Sequence, residues 1–304
     1  MTAAVPVELA DTSLAAEVTA GLADVEAALR DAVQTEQALL ASVSRHLMDA
    51  GGKRFRATLV LLAAQFGNPA DDRIVPAAVA IELTHLATLY HDDVMDEAVV
   101  RRGHESANSR WSNMIAILTG DFLFARASAI VSELGAEAIR IQADTFTQLV
   151  SGQVAETVGP APGADPLAHY LRVVRDKTGS LIATAGRFGA MFSGAPPEVV
   201  ARVTAACQAI GVAFQLSDDI LDVTSDSAET GKTPGTDLRE GVRSLPVLHA
   251  EALALLRAHP AMAAARADLR EWADTASEQV AGLPDVPARA AFEAMCDYVV
   301  RRTS

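Results

Sequence analysis

The stretch Leu83-Thr84-His85-Leu86-Ala87-Thr88-Leu89-Tyr90-His91-Asp92-Asp93-Val94-Met95-Asp96 carries two patterns at once. Leu83, Leu86 and Leu89 recur at helical spacing, and His85, Thr88, Asp92 and Asp96 form a polar stripe through the same segment. Residues four apart on a helix are separated by only about 40° around the axis, so Asp92 and Asp96 face one way. Asp218-Asp219-Ile220-Leu221-Asp222 repeats the spacing, and it continues a stripe of Gly211, Gln215, Asp218 and Asp222. Both clusters read as lying deep inside apolar helices. A like-charged pair there is costly unless a cation neutralises it. Mg2+ suits such a pair, because it takes one or two carboxylates, keeps several waters and shares its other positions with phosphate oxygens. The third Asp-Asp doublet, Asp71-Asp72, follows Gly67-Asn68-Pro69 and reads as a structural helix opening.

The rest of the chain is helical in the same sense. Leu14, Val18, Leu22, Val25 and Leu29 mark an amphipathic helix, and strand alternation is not sustained anywhere. Breaks at Gly51-Gly52, Gly67 to Pro69, Gly159 to Pro166, Gly194 to Pro197, Gly231 to Gly241 and Pro284 to Pro287 divide the chain into roughly ten helices without a long linker. The expected architecture is all-α, a single large helical bundle over residues 1–304, with the site between facing helices and about the first thirty residues uninformative.

Composition bounds the function. A formal charge of -14 excludes a general nucleic-acid binder, which needs clustered basic residues. Cys207 and Cys296 read as buried free thiols of a reducing compartment. No signal peptide is visible, and no run approaches about 18 unbroken apolar residues, so a cytoplasmic protein without an integral membrane segment is expected.

Of 25 basic residues only Lys53, Lys177 and Lys232 are lysine, and all three stand beside glycine or threonine, where a compact ammonium can meet a phosphate. Lys53, with Arg54 and Arg56, follows two glycines and fits an anion site at a helix start. The Gly231-Lys232-Thr233 triplet is no P-loop, because Asp226 stands where the upstream glycine is required. Arg101-Arg102-Gly103 reads either as a cationic helix C-cap or as a neutraliser of metal-bound diphosphate.

In order along the chain, GGKRFR (51–56), HDDVMDEAVVRRG (91–103), KTG (177–179), FQLSDDILDV (214–223) and GKTPGTDLREG (231–241) resemble the trans-isoprenyl (polyprenyl) diphosphate synthases, over residues from about 35 to the C-terminus. The resemblance implies the isoprenoid synthase fold and a Mg2+-dependent condensation of isopentenyl diphosphate with an allylic prenyl diphosphate. It implies that Asp92, Asp96 and Asp218 hold the metal cluster, with Asp93, Asp219 and Asp222 completing the motifs. Arg101, Lys177 and Lys232 would meet the allylic diphosphate. Lys53, Arg56, His85 and Arg102 would hold isopentenyl diphosphate, and Lys177, Thr178 and Gln215 would act near the reacting carbons. A homodimer is implied as well. Ala57 stands where the family commonly has proline. Small Ala87 and Thr88, just before the first motif, resemble the long-chain members and imply a product of six or more prenyl units. A class I terpene cyclase and a non-catalytic subunit of a heteromeric synthase are the competing readings. The Lys53, Arg56 and His85 group and the two complete aspartate motifs favour condensation.

Overall fold

The computed structural model describes residues 9–224 and 260–303 and is built from helices. They are α1 (Thr12–Ala32), α2 (Ala38–Asp49), α3 (Phe55–Ala64), α4 (Ile74–Met95), α5 (Ala107–Arg110), α6 (Asn113–Glu133), α7 (Ala136–Val158), α8 (Pro166–Val174), α9 (Ser180–Phe192), α10 (Pro197–Thr224), α11 (Pro260–Ala281) and α12 (Pro287–Arg301). Local chemistry marks several starts. Asp11 accepts from the Leu14 amide at 2.9 Å, Asp165 from the Leu167 amide at 2.9 Å, and Ser112 from the Ile115 amide at 3.2 Å. Each satisfies a backbone donor that the first helical turn leaves open.

The chain forms two compact units, with the division falling inside α7, α9, α10 and α12. One unit holds the chain up to Ala143 together with Thr184–Val200 and Val286–Ala288. Its central helix is α4, which buries Leu83, Leu86, Ala87 and Tyr90 completely. Burial of each leucine contributes roughly 1.5–3 kcal/mol. The Tyr90 hydroxyl donates to the Val43 carbonyl and accepts from the Leu47 amide, so α4 is tied to α2 without an unpaired polar group. Against α3, Gly189 of α9 lies so close that a Cβ would stand 2.2 Å from the Val60 carbonyl oxygen.

The other unit centres on α10. Val212, Ala213, Leu216 and Ile220 pack with Met262, Ala265, Leu269 and Ala273 of α11, Val299 of α12 and Val174 of α8. This face uses one side of the helix and leaves Gly211, Gln215, Asp218 and Asp222 on another.

Three details differ from expectation. A two-residue hairpin pairs Val100 with Glu105 and Arg101 with His104. Arg102 and Gly103, at φ 53° and 75°, make its turn, so Arg101-Arg102-Gly103 is a hairpin corner and no helix C-cap. Asp71 does stand at the entrance of α4, but its carboxylate takes the Arg73 amide at 3.0 Å and the Arg73 guanidinium at 2.8 Å, an ion pair that holds its carboxyl at about 2. Finally, helices Ile74–Met95, Asn113–Glu133 and Pro197–Asp222 are long and apolar enough to cross a membrane by length and composition. The first and third bury 67% and 56% of that apolar window inside the protein, as core helices do, whereas the second buries 33%.

Candidate active site

The first aspartate cluster occupies the last turn of α4, with Asp96 as its C-cap, instead of the middle of an apolar helix. A helix end carries unpaired carbonyls and the negative pole of the macrodipole, so carboxylates there repel one another and the helix end unless a cation joins them. Asp92 is half-buried and Asp96 exposed, on one face. Asp93 turns away from them. It is fully buried, and Arg101 Nε donates to its Oδ1 at 2.5 Å. Burial pushes the Asp93 carboxyl above the usual carboxylate range, against the opposing pull of Arg101.

Seven residues before Asp92, about 10 Å along the helix axis, His85 is surrounded by cations. Burial, then the guanidinium groups of Arg56, Arg102, Arg54 and Arg101, push its imidazole well below the usual histidine range. At neutral pH His85 is therefore a neutral hydrogen-bonding group in a field of positive charge. Arg102 is fixed by donation to the Leu47 carbonyl at 2.8 Å and to the Gly51 carbonyl. Arg54, in the left-handed region at φ 45°, is buried and caps the start of α3. Its guanidinium reaches Glu26 of α1 and, at 3.9 Å, Glu82 of α4. Glu82 accepts from the Ala57 amide at 3.0 Å, a bond that proline at position 57 could not make. Lys53 and Arg56 flank this clamp, one exposed and one half-buried. Ala87 is fully buried, while Thr88 is half-buried and donates to the His85 carbonyl at 2.8 Å.

In the other unit, Arg175–Gly179 forms a π-helical turn between α8 and α9, and it contains Lys177 and Thr178. Such turns widen a helix and re-aim side chains, and they recur at functional sites. Two glycines permit the close approach. A Cβ on Gly152 of α7 would meet the Lys177 amide nitrogen at 2.7 Å, and one on Gly211 of α10 would meet Gly179 Cα at 3.0 Å. Thr178 Oγ1 consequently donates to Gln215 Oε1 at 3.1 Å, and Lys177 Nζ pairs with Glu156 at 2.6 Å. Gln215 Nε2 donates to Asp219 Oδ1 at 3.0 Å, and the Tyr170 hydroxyl donates to Asp219 Oδ2. Asp218 is held by Arg302, whose guanidinium lies 4.5 Å from the Phe214 ring centroid and 5.6 Å from that of Tyr298.

The first unit thus brings Arg56, Arg101 and Arg102 around His85 and joins Arg101 to Asp93 of the aspartate cluster, while Lys53 stands exposed beside Arg54. The second joins Thr178 and Gln215 to Asp219 of α10, with Lys177 on the same π-turn as Thr178. Lys232 and the whole 231–241 motif lie outside the described residues. Among the described residues no three metal-ligating side chains converge. Each unit instead offers one i, i+4 pair of hard oxygen donors, Asp92 with Asp96 at the end of α4 and Asp218 with Asp222 on α10. That donor set fits a hard divalent ion completing its shell with water and phosphate oxygens. Sequence reasoning missed Glu82, Tyr170, Glu156 and Arg302 as partners. Glu82 had a readable signal, a carboxylate one turn before His85 in an apolar helix. The others are joined to the site only by the fold.

A helical chain with a D-D-x-x-D helix in each unit, a cluster of basic residues around His85 and a lysine-threonine pair on a π-turn defines a class of helical diphosphate enzymes. The chain belongs to the polyprenyl synthetase family, whose model matches residues 37–280. It is 48% identical to the nonaprenyl diphosphate synthase of Mycobacterium tuberculosis over 97% of this chain and 96% of that protein. Its fold matches the decaprenyl diphosphate synthase of Rhodobacter capsulatus with a TM-score of 0.88 at 34% identity, covering 96% of this chain and 99% of that one. It also matches the geranylgeranyl pyrophosphate synthase of Corynebacterium glutamicum, crystallised with calcium and isoprenyl diphosphate, with a TM-score of 0.87 at 41% identity over 98% and 100% of the two chains.

Proposed function

We propose that the chain is a Mg2+-dependent prenyltransferase that condenses isopentenyl diphosphate with an allylic prenyl diphosphate into an all-trans polyprenyl diphosphate of six or more units. The observation that carries it is the aspartate pair at the end of α4 together with a neutral His85 on the same helix, within the field of Arg56 and Arg102. That helix offers separate places for a metal-bound diphosphate and for a second diphosphate held by cations alone. A cyclase, with one diphosphate, has no use for the second.

In this reading Asp92, Asp96, Asp218 and Asp222 hold the Mg2+, which neutralises charge on the leaving diphosphate. Lys177 and Arg101, with Lys232, meet the same group and stabilise the charge that grows as the allylic C–O bond breaks. Lys53, Arg56 and Arg102, with the His85 N–H, hold isopentenyl diphosphate so that its double bond faces the allylic carbon. The new C–C bond forms between them, and the proton lost from the condensed intermediate passes to the released diphosphate. Thr178 and the Gln215 carbonyl face the developing positive charge, and packed helices exclude water from it.

Length follows from the wall. Ala87 is small where a bulky side chain would close the way below the aspartates, and the nonaprenyl and decaprenyl relatives support a long product. The enzyme works as a homodimer in the cytoplasm. The bare α6 stripe of Met114, Ile117 and Leu118 supports the dimer, and the two buried cysteines suit a reducing compartment.

The test is incubation of the purified chain with Mg2+, labelled isopentenyl diphosphate and short allylic primers, followed by chromatography of the dephosphorylated products. Products of at least six units are expected, Asp92→Ala should abolish them, and Ala87→Phe should shorten them. Full activity in Asp92→Ala would overturn the metal assignment, and a wild-type product of four units would overturn the long-chain reading.

A further inference from the structure

We infer that Tyr170 and Asp219 are positioning residues that lock the orientation of the Gln215 amide, and that Asp219 is not a metal ligand although it belongs to the second D-D-x-x-D. This rests on the proposed condensation and deepens its account of how the cation is stabilised.

The geometry separates Asp219 from its neighbours. On a helix it lies about 100° around the axis from Asp218, off the face shared by Asp218 and Asp222. Its residue is 4% exposed, and both of its oxygens are engaged, Oδ1 by Gln215 Nε2 at 3.0 Å and Oδ2 by the Tyr170 hydroxyl. A buried carboxylate held on both sides by protein donors is poorly placed to enter a metal shell.

What that carboxylate does follows from its chemistry. An ionised carboxylate only accepts hydrogen bonds, so of the two ends of a carboxamide it can receive only the NH2. With Nε2 of Gln215 committed to Asp219, Oε1 is forced to the opposite side, where it meets Thr178 Oγ1 at 3.1 Å. The negative end of the amide dipole then faces the π-turn carrying Lys177 and Thr178. A flipped amide would present its NH2 there instead and oppose a carbocation by electrostatic repulsion. Tyr170 completes the lock from α8, because its donation fixes the Asp219 carboxylate plane from which Gln215 is held. Gly179 and Gly211 keep α10 and the π-turn close enough for the last link, since a Cβ at Gly211 would press on Gly179 Cα at 3.0 Å.

The experiment uses the full-length chain with Mg2+, isopentenyl diphosphate and farnesyl diphosphate. It compares wild type with Tyr170→Phe, Asp219→Asn, Gln215→Ala, the double variant Tyr170→Phe/Gln215→Ala, and Asp218→Asn as a metal-ligand reference. Tyr170→Phe should lower kcat by about 10-fold, the scale of a supporting-shell loss, with KM for both substrates and the Mg2+ concentration at half-activity unchanged. In the Gln215→Ala background the same substitution should have no further effect, because coupled residues are non-additive. Asp219→Asn should lower kcat without raising the Mg2+ requirement, whereas Asp218→Asn should raise it. Equal losses from Tyr170→Phe in both backgrounds would overturn the relay. So would an Asp219→Asn enzyme that recovers wild-type kcat at high Mg2+, which would make Asp219 a ligand. A wild type that incorporates no isopentenyl diphosphate would sink the proposed reaction and this inference with it, whereas normal incorporation with additive losses would sink the inference alone.

Discussion

At His85, burial and the surrounding guanidinium groups act in the same direction, since both disfavour the imidazolium. The folded chain therefore takes up this proton only well below the usual histidine value of about 6.5. The sign for stability follows. Above about pH 6.5 the imidazole is neutral in both folded and unfolded chains. As the pH falls below that value the unfolded chain is protonated first, and stability is lost progressively toward the folded pKa. A bound diphosphate offsets the cations and raises that pKa. Titration by nuclear magnetic resonance of the imidazole signal missing from His85→Gln should show a neutral ring down to acidic pH, shifting upward when inorganic diphosphate is added. No change on addition would remove His85 from the anion site. A buried thiol behaves in parallel at Cys296, where burial pushes the pKa up to about 11 and keeps the group protonated and inert at neutral pH.

Among elements, the contact of α10 with the π-turn is the one on which Thr178 and Gln215 both depend. Gly211→Ala places a Cβ 3.0 Å from Gly179 Cα and 3.2 Å from Ile182 side-chain atoms, so backbone must move. An overpacking cost of about 1–3 kcal/mol is expected from denaturant unfolding. The loss of kcat should exceed what that destabilisation explains, because the shift also separates Thr178 from Gln215. Helix periodicity made α4 and α10 visible, and their polar stripes fixed which residues share a face, since both follow from 3.6-residue geometry within one segment. The glycine and proline breaks likewise marked most helix ends. What stayed hidden is set by packing between segments. The π-turn at Arg175–Gly179 depends on neighbours that demand a wider helix, and nothing local distinguishes Lys177-Thr178-Gly179 from an ordinary turn. The hairpin corner at Arg102-Gly103 was read as a possible helix cap because its residues suit either, and only the end of α4 at Met95 decides. Tyr170 and Asp219 are 49 positions apart, and their bond exists only because α8 folds onto α10. Motif membership made Asp219 only a completing member of the second aspartate cluster, and its burial and partners give it a place of its own.

Over the whole molecule, a net charge of -14 is compatible with the proposed site for two anions, because charges farther apart than about 8 Å are largely screened by salt while the guanidinium groups around His85 act at short range. The same scale exposes an unfinished surface. Met114, Ile117 and Leu118, at 70%, 43% and 53% exposure, line one face of α6 at i, i+3, i+4 spacing, on a helix that buries only 33% of its apolar window. A second copy of the chain covers that stripe in the proposed homodimer. The sedimentation coefficient of the wild type should then be that of a dimer, and its melting temperature should rise with protein concentration, as mass action requires. Leu118→Glu puts a charge into the covered apolar face, where it must be desolvated without a partner. If the cost is that of an interface hot spot, at least about 2 kcal/mol, association weakens by roughly 30-fold or more, and monomer becomes visible at micromolar concentration. The same substitution leaves an isolated monomer as stable as before, because the position is already half in water. A wild type that sediments as a monomer at every concentration would leave α6 without its proposed cover, and a Leu118→Glu variant as firmly dimeric as the wild type would move the interface elsewhere.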